Sequence, residues 1–343
     1  MNDFDLFYIF VILTLLAISH LLIFLRKKKR HFQKRNAFFL IFWNALLTIA
    51  LAAGLFFLAE TYYRFFVDTT DSFGLNKITQ RWLKRHYHLN NLKARDNIDY
   101  QHQIAPGKRR ISFVGDSFTA GHGVADVEDR FPNLIRANNP RWEIHVIAAN
   151  GLETVDELQV ISKLDGEGYQ FDVLILVYVI NDISYLVPET EAVYEKIYAF
   201  GDGLGYLGQN SYFLNTLHFR SFASRTPEIS SYYDFVKNAY FSPIWERQAA
   251  ALRHIVQSGR QKGRRVVVVT FPFLHDLSGY AFTDVHQKLD AFWQSLQTPH
   301  LDLYPVFLQH AQENLVVNAF DAHPNERANQ IAAEAIERFL KEH

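Results

Sequence analysis

Hydrophobic residues are arranged along this chain in two contrasting ways. Near the start they form long unbroken runs: Leu6 to Leu25 passes 20 residues without a formally charged side chain, and Ala37 to Ala59 passes 23, with Asn44 and Thr48 as the main polar interruptions. A helix rises about 1.5 Å per residue, so each run reaches across a hydrocarbon core of about 30 Å. Two transmembrane helices, at about 6–25 and 37–59, are expected. From Arg110 onward the runs are short and rich in β-branched residues: Arg110–Val114, closed by Gly115; Trp142–Ile147, followed by Ala148-Ala149-Asn150-Gly151; Phe171–Ile180; and Arg265–Phe271. Runs that do not alternate with polar residues predict strands covered on both faces, as in a parallel sheet. Helical patterns separate them, over Ala125–Asn138, Thr154–Glu167, Pro243–Lys262 and Asn325–Lys341. Strand and helix in turn predict a doubly wound α/β domain.

Three regions follow: residues 1–60 as a membrane hairpin, 61–104 as a juxtamembrane stalk, and 105–343 as one α/β domain. Within the last, residues 183–241 break the strand–helix rhythm with many Tyr and Phe and read as an insertion that either shapes a substrate groove or only packs on the domain. Between the two spans, Arg26 to Arg35 holds seven Lys and Arg in ten residues, while the flank before the first span has none and carries Asp3 and Asp5. Positive residues in short loops stay on the cytoplasmic side. The hairpin loop is therefore expected inside and both termini outside, a multi-pass protein of the cytoplasmic membrane. The acidic start and the length of the first apolar run speak against a cleaved signal peptide.

Charge and composition narrow the function classes. In 343 residues, 35 Lys and Arg balance 36 Asp and Glu, leaving a net charge of −1 and no excess to hold nucleic acid. Cysteine is absent, which excludes disulfides, thiolate metal sites and a cysteine nucleophile. The 15 histidines show no HExxH-like spacing, so neither a metal nor another cofactor is expected. His275, just past the fourth strand, is kept as a candidate substrate contact.

The chemistry-bearing residues fall at strand ends. Gly115-Asp116-Ser117 places a hydroxyl where the first strand turns into a helix, and a helix N-terminus offers backbone N–H groups to a developing oxyanion. The second strand ends at Asn150-Gly151 and the third at Asn181-Asp182. Near the C-terminus, Asp321-Ala322-His323 spaces a carboxylate and an imidazole so that one can orient the other toward Ser117. The carboxyl ends of strands in an open α/β sheet form its binding crevice.

These blocks, in this order, resemble the SGNH (GDSL-type) hydrolase superfamily over about 230 residues. The resemblance implies a three-layer, flavodoxin-like sandwich. It implies Ser117 as nucleophile, His323 as base and Asp321 as its orienting acid, with an oxyanion hole made by the N–H groups of Ser117 and Gly151 and the Asn181 side chain. Two positions depart from the pattern. Val179 stands where the third block carries glycine, which is expected to alter how closely a substrate approaches, and Asp321 precedes His323 by two residues rather than the commoner three. The Asp-x-His-Pro-Asn form is similar to membrane-tethered members of envelope polysaccharide systems. The expected activity is a serine esterase outside the cytoplasm, acting on an O-acetyl or similar ester of an envelope glycan or on a small ester. O-acyl transfer through the same triad, with a membrane-bound O-acyltransferase as partner, is the first alternative; a non-catalytic glycan-binding or scaffold subunit is the second.

Overall fold

The computed structural model describes residues 37–343 and, before them, residues 11, 13–14, 16–18, 20–21 and 23–24. Half of the first predicted span, Leu6–Leu25, and the whole basic run Arg26–Arg35 lie outside the described residues. The chain divides into two units, one reaching to Val67 and including Asn210–Leu214, the other made of Asp68–Gln209 and Asn215–His343.

In the first unit a helix runs from Ala37 to Phe65. Its segment Asn44–Phe65 is the one stretch among the described residues long and apolar enough to cross a membrane. The helix extends six residues beyond the expected end at Ala59, because its polar end is satisfied internally. Glu60 pairs with Arg64 one turn later at 2.8 Å. The Glu60 carboxylate also accepts the Ser211 hydroxyl at 2.6 Å and the N–H groups of Tyr212 and Phe213 at 3.0 and 2.9 Å. It thereby caps the start of helix Tyr212–Ala223 together with the Ser211 hydroxyl, which accepts the Leu214 N–H at 3.0 Å.

The second unit is an α/β fold on a five-stranded parallel sheet. Its strands are β1 (Arg109–Gly115), β2 (Trp142–Ala148), β3 (Val173–Val179), β4 (Arg265–Phe271) and β5 (His300–Asp302), in the order β2-β1-β3-β4-β5. Every residue of β3 is buried, as its unbroken apolar run requires. Helices Phe131–Asn138 and Glu326–Glu342 pack on one another, as do Thr154–Gly166 and Ile244–Gln261. The strand order reverses direction between β1 and β3, the switch point where an open α/β sheet holds its ligand.

Local chemistry explains where the elements differ from expectation. The helix expected over Ala125–Asn138 begins only at Phe131, since Pro132 in its first turn favours a start there and an extended Arg130 precedes it. The insertion 183–241 is helical, with helices Glu189–Tyr198, Gly205–Asn210, Tyr212–Ala223 and Pro227–Tyr240. An antiparallel pair, β6 (Val316–Asn318) and β7 (Asp321–Pro324), precedes the last helix. Residues 68–104 belong to the same unit as the sheet rather than to a separate stalk. Within them Ile78, Trp82, Arg95 and Tyr100 are buried.

Candidate active site

Ser117 owes its position to the residues on either side of it. A Cβ added to Gly115 would stand 2.3 Å from Thr119 Oγ1 and 3.0 Å from the Val177 carbonyl oxygen, so glycine is required where β1 ends beside β3. Asp116 caps the one-turn helix Ser117–Ala120 by accepting the Phe118 N–H at 2.9 Å. Ser117 is thus the first residue of a helix at the carboxyl end of a central strand. Burial pushes the Asp116 carboxyl up to about 6.

Strand β7 brings the other two residues to it. The Ser117 hydroxyl donates to His323 Nε2 at 2.7 Å, and His323 Nδ1–H donates to Asp321 Oδ1 at 2.6 Å. The Asp321 carboxylate also accepts the His323 backbone N–H at 3.1 Å, which the two-residue spacing allows. Both Asp321 and His323 are buried. Burial disfavours the charged imidazolium of His323, yet the Asp321 carboxylate outweighs it and raises the histidine above its ordinary value of 6.5. Burial likewise opposes charge on Asp321, but His323, His122 and Thr70 hold its carboxyl well below the usual carboxylate range.

A cavity of about 540 Å³ opens in front of Ser117 and His323, and Gly151 and Asn181 line it too. The structure therefore brings together all five residues singled out from the sequence. Gly151 has φ of 78° with nothing within 4 Å of an added Cβ, so conformation, not space, calls for glycine there. Val179, by contrast, is wholly buried in β3 and does not line the cavity. The missing glycine of the third block therefore does not narrow the approach to Ser117. His275 does not line it either; its ring packs 4.6 Å from Tyr233, which does.

Several supporting residues carried no signal in the sequence. Thr70 donates its hydroxyl to Asp321 Oδ2. His122 Nε2 lies 3.5 Å from the same oxygen and its N–H donates to the Asp71 carbonyl at 3.0 Å. Its Nδ1 accepts from the Asn150 amide at 2.8 Å, and Asn150 Oδ1 accepts the Tyr87 hydroxyl at 3.1 Å. Burial, with His323 beside it, pushes His122 down to about 4, in keeping with a neutral ring donating from one nitrogen and accepting at the other. Arg95 lies between the rings of Trp82 and Tyr87, each 5.3 Å from its guanidinium carbon. It donates to the carbonyls of Gly121 and Val124 at 2.5 and 2.7 Å, fixing the loop that leaves the serine helix. His122, Asp321 and His323 also offer ligand atoms within 4.8 Å of one another, a donor set suited to zinc. Both His323 nitrogens are already engaged by Asp321 and Ser117, and the pairing satisfies the three side chains without an ion.

Residues 113–331 match the GDSL-like lipase/acylhydrolase family, from β1 into the last helix. The chain belongs to that family. As a GDSL-type hydrolase it is a serine hydrolase of the esterase and acylhydrolase kind. Three of the solved structures it is similar to are distant in sequence. A lipolytic protein of the G-D-S-L family from Veillonella parvula is 15% identical, with 67% of this chain and 97% of that one covered and a TM-score of 0.38. For an extracellular lipase from Streptomyces rimosus the values are 13%, 68%, 99% and 0.45. For an acetyl xylan esterase they are 13%, 66%, 97% and 0.39. No curated protein matches the chain.

Proposed function

We propose that this GDSL-type hydrolase is a membrane-anchored serine esterase whose catalytic unit works outside the cytoplasm on an O-acyl ester, foremost O-acetyl, of an envelope glycan. The observation that carries the chemistry is the unbroken relay Asp321–His323–Ser117 at the wall of a cavity. Ser117 Oγ attacks the ester carbonyl carbon as its proton passes to His323 Nε2, and the imidazolium formed is stabilised by Asp321. The carbonyl oxygen becomes an oxyanion, which the N–H groups of Ser117 and Gly151 and the Asn181 amide receive. Collapse expels the sugar alkoxide, which takes the proton from His323 and leaves an acyl ester on Ser117. Water then attacks, giving its proton to His323, and the second collapse returns that proton to Ser117 and frees the acid.

A sugar hydroxyl in place of water makes the same cycle an O-acyl transfer. A second cavity that shares Glu153, Tyr194 and Tyr198 with the first gives such an acceptor room, and this supports the transferase as a second reading. A scaffold role alone would leave the relay without a purpose.

Anchoring is supported by an estimate of cost. Ile41, Phe42, Leu47, Ile49, Leu51, Leu55 and Leu58 are all exposed on helix Ala37–Phe65. At about 1.5–3 kcal/mol each, leaving them in water costs on the order of 10–20 kcal/mol, as much as a whole domain's stability. Lipid removes that cost. The basic run Arg26–Arg35 supports a cytoplasmic loop and an external C-terminus.

The test is hydrolysis of p-nitrophenyl acetate and of an O-acetylated glycan by the full chain in detergent. Ser117→Ala is expected to abolish both, and Asn181→Ala to lower kcat by roughly 10²–10³ with a smaller change in KM. Wild-type activity in Ser117→Ala would exclude the serine mechanism. For the anchor, a C-terminal alkaline phosphatase fusion is expected to be active; an inactive one would reverse the orientation.

A further inference from the structure

The cavity at Ser117 is not alone. Beside it lies a second cavity of about 610 Å³ between the loop after β3 and helix Glu189–Tyr198. Glu153, Tyr194 and Tyr198 line both, so the two adjoin.

Two features describe what this double cavity fits. The first is a row of tyrosines leading from the outer cavity to the inner one. Tyr198 and Tyr194 have ring centroids 6.0 Å apart, Tyr194 and Tyr232 stack at 6.3 Å, and Tyr232 and Tyr233 lie 5.6 Å apart. Tyr198, at the open end, is 60% exposed. A tyrosine offers an apolar face and a polar tip, which suits the C–H faces and hydroxyls of sugar rings.

The second feature is the sign of charge. Glu153, Glu191 and Glu195 line the outer cavity, and Asp116 and Glu153 the inner one, while among the described residues no Lys or Arg lines either. Arg247, whose charge reaches the Tyr185 hydroxyl, is not part of the lining. Glu191 and Glu195 give the outer cavity a negative sign, which repels carboxylate and phosphate groups. Glu153, at the junction, accepts the Ser184 hydroxyl at 2.7 Å, and burial pushes its carboxyl up to about 7, so it can meet a hydroxyl as donor or as acceptor.

We infer that the two cavities form one groove for a carbohydrate chain free of carboxylate and phosphate groups, neutral or amine-bearing, with the tyrosine row as its floor and the glutamates as its rim. The inference deepens the esterase reading, since it names the class of chain that carries the ester to Ser117. A uronate polymer, a teichoic-type phosphate polymer and a phospholipid are all excluded as preferred substrates.

Binding and turnover are measured separately, so that failure of the groove and failure of the serine chemistry are distinguishable. Full-length Ser117→Ala in detergent is titrated calorimetrically with cello-hexaose, a chitosan hexamer and hexa-galacturonate. The first two are expected to bind at least about tenfold more tightly than the third. Tyr198→Ala in that background is expected to weaken the first two by about tenfold, and Glu191→Lys with Glu195→Lys to bring the galacturonate within about twofold of cello-hexaose. Equal binding of all three, no binding of any, or a preference untouched by the two glutamate reversals would overturn the groove. Wild-type turnover of p-nitrophenyl acetate, measured alongside, tests Ser117 and leaves the binding result standing either way.

Discussion

Asp321 is held between two regions of the molecule that treat its two oxygens differently. Oδ1 faces its own strand, where His323, two residues on, supplies both an imidazole N–H and a backbone N–H. Oδ2 faces residues that come from far earlier in the chain: Thr70, 251 positions before it, and His122. That earlier segment is itself firmly built. The Asp71 carboxylate accepts the N–H groups of Phe73, Leu75 and Asn76, and Asn318 donates to the Thr70 carbonyl, so Thr70 is fixed against the loop it serves. The difference teaches that the reacting side of the carboxylate is set by local spacing and the supporting side by tertiary structure. Chemistry is concentrated on the first, orientation and charge on the second.

Substitutions on the two sides should therefore differ in size and in kind. His323→Ala removes the base and is expected to lower kcat by on the order of 10⁴ or more, measured with p-nitrophenyl acetate. A loss of tenfold or less would place the base elsewhere. Asp321→Asn is expected to cost on the order of 10³–10⁴ and also to move the pH profile. The base works when neutral, so activity rises with pH through the His323 pKa, which lies above 6.5 in the native site. Without the carboxylate, burial, which lowers that pKa, is opposed only by the weaker pull of Asp116 and Asp71, and the acid limb of kcat/KM should shift to lower pH. A limb that stays in place would assign it to another group.

Thr70→Val acts on the other oxygen, leaves the carboxylate charged and should be milder, about tenfold in kcat, with a smaller shift of the limb than Asp321→Asn gives. Losing a hydrogen bond to a charged group should also cost about 1.5–3 kcal/mol of stability, read by urea unfolding. Rescue by Thr70→Ser would tie both effects to the hydroxyl. If kcat and the pH limb were untouched while stability fell, Oδ2 would be a purely structural contact and the contrast between the two sides would sharpen into a complete separation.

This contrast also accounts for what the sequence made legible. β4 was readable to the residue, Arg265–Phe271, because a covered strand needs only a continuous β-branched run. β5, at the edge, has three half-buried residues including Asp302 and leaves no such trace. Ser117, Gly151, Asn181, Asp321 and His323 could be found because each stands in a short block, the first three just past the ends of covered strands and the last two just before the last helix. Thr70, Arg95 and His122 could not. Arg95 looks like any surface arginine until its guanidinium is seen between Trp82 and Tyr87, and His122 gains its role only from Asn150, Asp71 and Asp321. The helices of the insertion 183–241 escaped for another reason: its Tyr and Phe residues are distributed for packing and for cavity walls, and that distribution hides the helical period.

The central claim is that Ser117 becomes covalently acylated with His323 as its base. The most direct measurement is intact mass and peptide mapping of the full-length protein after reaction with a fluorophosphonate. The account predicts one adduct per chain, on Ser117, absent in Ser117→Ala, sharply slowed in His323→Ala and less so in Asp321→Asn. An adduct on another residue, equal labelling of Ser117→Ala, or an unlabelled wild type that still hydrolyses esters would contradict it.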